Sequence, residues 1–216
     1  NSYAGNLPPD LEEAKYRKLR DKIEESFGTL PRIYRAGRYG LGPQTTRLLS
    51  ETGVAIDSSV RANFDYSAFH GPDYSRHPLT PYWTDAVRKL IELPLTTVFW
   101  GLLRRQAPAL FPLATKYPLL GSALARLGLL ERISLTPEGV TAEEALRAVD
   151  IAIDEGLPVL VLSFHSPSLQ KRHTPYVRDE KDLDALYDWF RAVYGYLHQR
   201  GVRPTTVAEI MRAADA

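Results

Sequence analysis

At 216 residues, 44% hydrophobic and 25% charged, the chain is long enough to bury a sizeable core. Lys and Arg number 27 against 26 Asp and Glu, a net charge of +1, so no global field argues for nucleic acid or an anionic membrane as partner. The lack of cysteine excludes disulfides, thiolate metal sites and a cysteine nucleophile.

The opening NSYAGNLPPD has neither a charged region followed by an apolar run nor a small-residue cleavage site, which favours a cytoplasmic protein over an exported one. Pro8, Pro9 and Asp10 lead into Leu11, Leu19, Ile23 and Phe27 at steps of four or eight, the stripe of an amphipathic helix stopped by Gly28. Arg32 to Ala36 reads as a strand, PQTTRLLSETG as a helix ending at Gly53, and VAIDSSV as a second strand, together a β-α-β unit. From Arg61 to Thr84 no period is sustained, and a long functional loop is expected. LIELPLT, from Leu90, is the third strand. The run from Leu90 to Leu103 contains Glu92 and Pro94 and falls short of the roughly 20 residues that a spanning helix needs, so no membrane span is predicted.

Leucine-rich sequence from Leu103 to Leu130, interrupted by Pro108, Pro112 and Pro118, predicts short broken helices that cap or fill one side of the core. RISLTPEG is a weak strand. Thr141 and Glu144 then form a capping box that opens the helix TAEEALRAVDIAIDEG, closed by Gly156. LPVLVLSF reads as a buried strand, followed by helices over about Asp179 to Gln199 and Thr206 to Ala214. Strands alternating with helices place the chain in the α/β class with parallel strands, as one domain over residues 1–216.

In parallel α/β folds the ligand end lies where strands finish. The predicted strands end near Arg35, Asp57, Thr96 and His165, so a basic fork, a carboxylate and an imidazole become candidates for one rim.

The order Arg35-Ala36-Gly37-Arg38-Tyr39-Gly40, then a helix, then GVAIDSSV, and much later an apolar strand ending SFHSPSL, resembles the C-terminal two-thirds of the polysaccharide deacetylase (NodB-homology) family. The resemblance implies a partial or irregular (β/α) barrel and a hydrolase that removes acetyl groups from a polysaccharide or amino sugar. It implies a divalent metal, usually zinc, held by one Asp and two His, with Arg35 and His165 beside it. The family's opening strand with its Asp-Asp pair, and its His-x-x-x-His pair, have no counterpart in this sequence, and Gly37 stands where many members have proline. An N-terminally incomplete domain is therefore expected. Its metal ligands would lie outside this chain, and its unpaired sheet edges would favour self-association.

The chemistry wants these residue types. A leaving amine must be protonated, for which His165 is the candidate general acid. A permanently charged, forked arginine can orient a catalytic carboxylate, the role of Arg35. Asp57 either orients Arg35, Arg38 or the histidine, or caps a local turn. Arg38, Tyr39, Tyr66 and Trp83 are candidate substrate contacts. Tyr66, Phe69, Tyr74, Tyr82 and Trp83 form either a sugar-stacking wall or an aromatic loop packed on its own domain. His70, His77, His173 and His198 lack metal-like spacing. The alternative to an enzyme is a non-catalytic glycan-binding or structural relic of the same fold.

Overall fold

The computed structural model describes residues 3–215. They fall into two compact units, one running to Leu95 and resuming at Pro204, the other spanning Thr96–Arg203. The architecture is mixed α/β, with helices and two small open sheets.

The first unit begins with helix α1, Pro9–Phe27, entered through the rigid Pro8-Pro9 pair. It ends where Gly28 turns left-handed at φ 69° and donates its N–H to the Glu24 carbonyl. Strand β1, Ile33–Tyr34, is followed by helix α2, Thr45–Glu51, and strand β2, Ile56–Asp57. Strands β3, Tyr82–Trp83, and β4, Ile91–Glu92, complete a sheet in the order β1-β2-β4-β3. β1, β2 and β4 are parallel, as the β-α-β reading requires.

The ladders bring two rows into line. Tyr34 pairs with Asp57, Asp57 with Glu92, and Glu92 with Tyr82; one residue back, Ile33, Ile56, Ile91 and Trp83 align. Because successive side chains leave a strand on opposite faces, one face carries Tyr-Asp-Glu-Tyr and the other an apolar row. Leu49 of α2 packs with Val54 and Leu90, and Tyr16 and Tyr34 lean against that cluster. The short helix Val207–Ala214, designated α7 below, belongs to this unit and opens on a capping box between Thr206 and Glu209.

The second unit pairs β5, Thr97–Trp100, with β6, Glu131–Ser134. Between them lie helices α3, Ala107–Lys116, and α4, Pro118–Arg126, the broken helices that the prolines predict. Helix α5, Ala142–Asp154, starts on the Thr141 and Glu144 capping box, with both reciprocal bonds made. Its apolar face, Ala148, Ile151 and Ala152, closes over Val98 and Ile133; Ala145 and Val149 meet Trp189 and Val193 of α6, Glu180–Gln199.

Three expectations are corrected. The strands are not all parallel: β3 runs antiparallel to β4, and β5 to β6. The segment Arg61 to Thr84 is not loop throughout, since Tyr82–Trp83 joins the sheet and Ser67–Phe69 forms a 3-10 turn. LPVLVLSF is not a buried strand. It is only half-buried over most of its length, and its bonds are isolated: the Val161 carbonyl accepts from the Thr96 N–H, while the Val161 N–H donates to the Thr96 hydroxyl at 2.8 Å. Ser163 donates to the Leu135 carbonyl. A side-chain acceptor at Thr96 ends the ladder after one rung.

Candidate functional site

Each unit holds one cluster of chemistry-bearing side chains. In the first, Asp57 and Glu92 are both 1% exposed and are cross-strand neighbours in a parallel ladder. Two carboxylates cannot both stay ionised in such a place without heavy cost. Burial pushes Asp57 above the ordinary carboxylate range, against the pull of the Ser59 hydroxyl and of the Arg35 charge. Burial and the neighbouring Asp57 charge push Glu92 up further still.

One oxygen of each carboxylate accepts a local hydrogen bond. The Ser59 hydroxyl donates to Asp57 Oδ1 at 2.5 Å, and the Val60 N–H donates to Glu92 Oε1 at 2.9 Å. Asp57 thus holds its own Ile-Asp-Ser-Ser turn, one of the two roles open to it from sequence. At the ends of the row, burial raises both tyrosines, Tyr34 to about 12, and the Asp57 charge adds to the effect on each. Tyr82 bonds His77 Nδ1 through its hydroxyl at 2.9 Å.

Arg35 follows β1 and reaches the same turn. Its Nε donates to the Ser58 carbonyl at 3.0 Å and its Nη2 to the Ser58 hydroxyl at 3.1 Å, so it acts on Asp57 by charge rather than through a bidentate pair. Ala36 N–H donates to the Ser59 hydroxyl. Arg38 and Tyr39 follow at φ 56° and 62°, two successive non-glycine residues in the left-handed region, a strain of order 1–3 kcal/mol each. The Tyr74 hydroxyl anchors them by donating to the Tyr39 carbonyl at 2.5 Å.

Arg38 lies over the Tyr3 ring at 5.3 Å. Tyr39 stacks on Tyr66, Tyr66 stacks on Phe64, and the Arg61 guanidinium sits 3.8 Å from the Phe64 ring centre. Tyr74 is buried in the unit with Val60 and Ala62, whereas Phe69 is exposed. Trp83 stands on the apolar row, on the opposite sheet face from Glu92.

In the second unit, the half-buried segment delivers His165 to a carboxylate. Glu138, from the loop after β6, has a side chain only 6% exposed, while the His165 ring is 65% exposed. Glu138 Oε2 is 2.6 Å from His165 Nδ1, and its Oε1 accepts from the His165 N–H at 2.9 Å and from the Ser168 hydroxyl at 2.7 Å. Ser168 is fully buried and also meets Thr174 at 3.0 Å. With Nδ1–H donated to Glu138, Nε2 is the nitrogen left to act, and the ring lies nearly parallel to Tyr176.

Comparison with known proteins returned no matching family model, no matching curated protein and no matching solved structure.

Among the described residues, no three His, Cys, Asp or Glu side chains gather to hold a metal ion. The zinc that the resemblance implies therefore has no ligand set here. Asp57 with Glu92 supplies two carboxylates and no imidazole, and Glu138 is already occupied by three donors.

Two residues central to these clusters were not singled out from sequence. Glu92 was visible only as a charge interrupting an apolar run. A carboxylate inside a short strand flanked by Leu90, Ile91 and Leu93 was itself the signal, because a buried charge demands a partner. Glu138 gave no local signal, since its partner lies 27 residues further on.

Proposed function

We propose that this protein is a carbohydrate deacetylase-type hydrolase on an irregular (β/α) barrel, acting on the carbon–nitrogen bond of an acetamido sugar, with His165 as its general acid. The observation that carries the reading is the fixed imidazole: a buried carboxylate holds one ring nitrogen of an otherwise exposed histidine, the arrangement of a positioned acid or base. The parallel strands β1, β2 and β4, with Arg35 and Asp57 at their ends, and the strained Arg38-Tyr39 backbone support the same assignment.

The step assigned to this chain is proton delivery. As water oxygen adds to the acyl carbon and releases one proton to bulk water, the C–N bond breaks and the imidazolium gives its Nε2 proton to the departing amine nitrogen, leaving a carboxylic acid and a free amine. Glu138 keeps the ring oriented and balances the imidazolium charge before transfer. Within the first unit, the stacked Tyr39 and Tyr66 and the exposed Arg38 are separate candidates for sugar contact.

The test compares leaving groups. His165→Ala is expected to lower hydrolysis of an acetamide by roughly 10²–10⁴, the range of general acid–base contributions. On an aryl acetate, whose phenolate needs little protonation, the loss is expected to be far smaller. Equal losses on both substrates would remove His165 as the proton donor, and no acetamide hydrolysis by the unaltered protein would leave the non-catalytic glycan-binding relic as the correct reading.

A further inference from the structure

The α3–α4 hairpin presents an apolar face that the second unit does not bury. Gly121 sets its geometry: a Cβ there would meet the Ala114 carbonyl oxygen at 2.8 Å, so the two helices close on small residues. Inward anchoring comes from Phe111, whose ring meets Phe99 at a tilt with centroids 4.9 Å apart, and from the buried Ala107 and Ala114. The larger side chains then face out, with Leu102, Leu113, Tyr117, Leu119, Leu120 and Leu127 all exposed, Leu119 at 88%.

The charge of this stretch is equally one-sided. Between Glu92 and Glu131 there is no acidic residue, whereas Arg104, Arg105, Lys116 and Arg126 are basic. Arg104 has the Glu155 charge as a neighbour; Arg105, Lys116 and Arg126 are exposed, with Lys116 over the Tyr117 ring. The near-zero net charge of the whole chain conceals this local excess.

We propose that the α3–α4 hairpin docks onto an anionic lipid surface, its leucines entering the headgroup boundary and its cations meeting the headgroups, without crossing the bilayer. The two short helices, each well under the length of a span, fit a structure that lies in the interface. Tyr117, at the turn between them, is a residue type that favours this layer. A second copy fits worse: two-fold pairing of this face brings its cations against their own copies, with no hairpin carboxylate to offset them. An anionic bilayer supplies both the apolar depth and the opposite charge. The proposal stands independently of the deacetylase reading.

Flotation of the full chain with phosphatidylcholine vesicles, with and without about a quarter phosphatidylserine, tests it. Binding to the anionic vesicles is expected to exceed binding to the neutral ones by about tenfold or more and to weaken as salt is raised. Leu119→Asp with Leu127→Asp should abolish flotation with the far-UV spectrum unchanged. Arg105→Glu with Arg126→Glu should remove the preference for anionic lipid. Tyr117→Trp provides a second readout that does not depend on those variants folding: when anionic vesicles are added its emission should shift to the blue by more than that of the unaltered chain, whose Trp83, Trp100 and Trp189 set the background. The proposal fails if the unaltered chain does not float, if neutral and anionic vesicles bind it equally, or if the Tyr117→Trp emission does not shift beyond that background. It also fails if the chain is a dimer that Leu119→Asp dissociates without any lipid binding.

Discussion

Replacing Glu92 by glutamine is expected to flatten the pH dependence of the first unit's stability. Asp57 and Glu92 face each other across β2 and β4, buried, and both are pushed above the ordinary carboxylate range, first of all by burial. The folded unit therefore keeps a proton on the pair where the unfolded chain, with carboxylates titrating near 4, keeps none. A group whose folded value is raised contributes stability that is complete below the unfolded value and is lost as pH rises through the folded one. The slope is about −1.4 kcal/mol per pH unit for each proton retained, so the unaltered unit should lose about 3 kcal/mol between about pH 5 and 7 from this source. The loss continues until Glu92, the more strongly raised of the two, ionises. In Glu92→Gln the new amide still accepts from the Val60 N–H and only Asp57, raised by burial to about 6, still titrates, so the loss should end near pH 6 and the variant should be the more stable protein in alkaline solution. The assay is amide exchange at Leu93, whose N–H donates to the Asp57 carbonyl at 2.7 Å, corrected for the intrinsic pH dependence of exchange. An opening free energy that is level or rising with pH in the unaltered protein, or an equal slope in the variant, would refute proton retention by the buried carboxyl groups.

Two further predictions follow from single contacts. Glu138→Gln should move the neutral His165 proton from Nδ1 to Nε2, because the amide nitrogen facing Nδ1 cannot accept; ¹⁵N chemical shifts of the ring read this directly, and an unchanged tautomer would show that Glu138 does not set it. Gly42→Ala would place a Cβ 2.5 Å from the Gly5 Cα, backbone against backbone, and should cost about 1–3 kcal/mol as a lowered melting temperature; an unchanged melting temperature would rule out that close approach.

Helices were the legible part of this sequence because their signals are local. Pro9 and Gly28 bracket α1, and the Thr141–Glu144 capping box opens α5 with both of its bonds made. Strand content was harder. LPVLVLSF has the composition of a buried strand, yet whether it enters a ladder depends on what Thr96 and Leu135 offer it, and Thr96 offers a hydroxyl. The antiparallel pairing of β3 with β4 was likewise unreadable, since Tyr82 and Trp83 are two residues at the end of an aperiodic stretch. For the site, Arg35, Asp57 and His165 could be picked out because strand ends and residue type point to them. Their partners Ser58, Glu92 and Glu138 could not, because a partner is defined by the folded chain and only the apolar surroundings of Glu92 betrayed its burial.

The Tyr34, Asp57, Glu92 and Tyr82 row also acts as a check on strand alignment during folding. Each of these strands is only two residues long, so hydrogen bonding alone would tolerate several alternative pairings. Sliding β4 by one residue against β2 would set Glu92 among isoleucines and bring Ile91 to the side of Asp57, leaving Glu92 without its Val60 donor while Asp57 keeps only its local Ser59 bond. Slipped sheets are thereby penalised by the desolvation of a lone buried charge, several kcal/mol in scale, which is more than two backbone hydrogen bonds return at about 1 kcal/mol each. A pair of carboxylates that weakens the native sheet in alkaline solution is, by the same physics, what makes its wrong pairings weaker still.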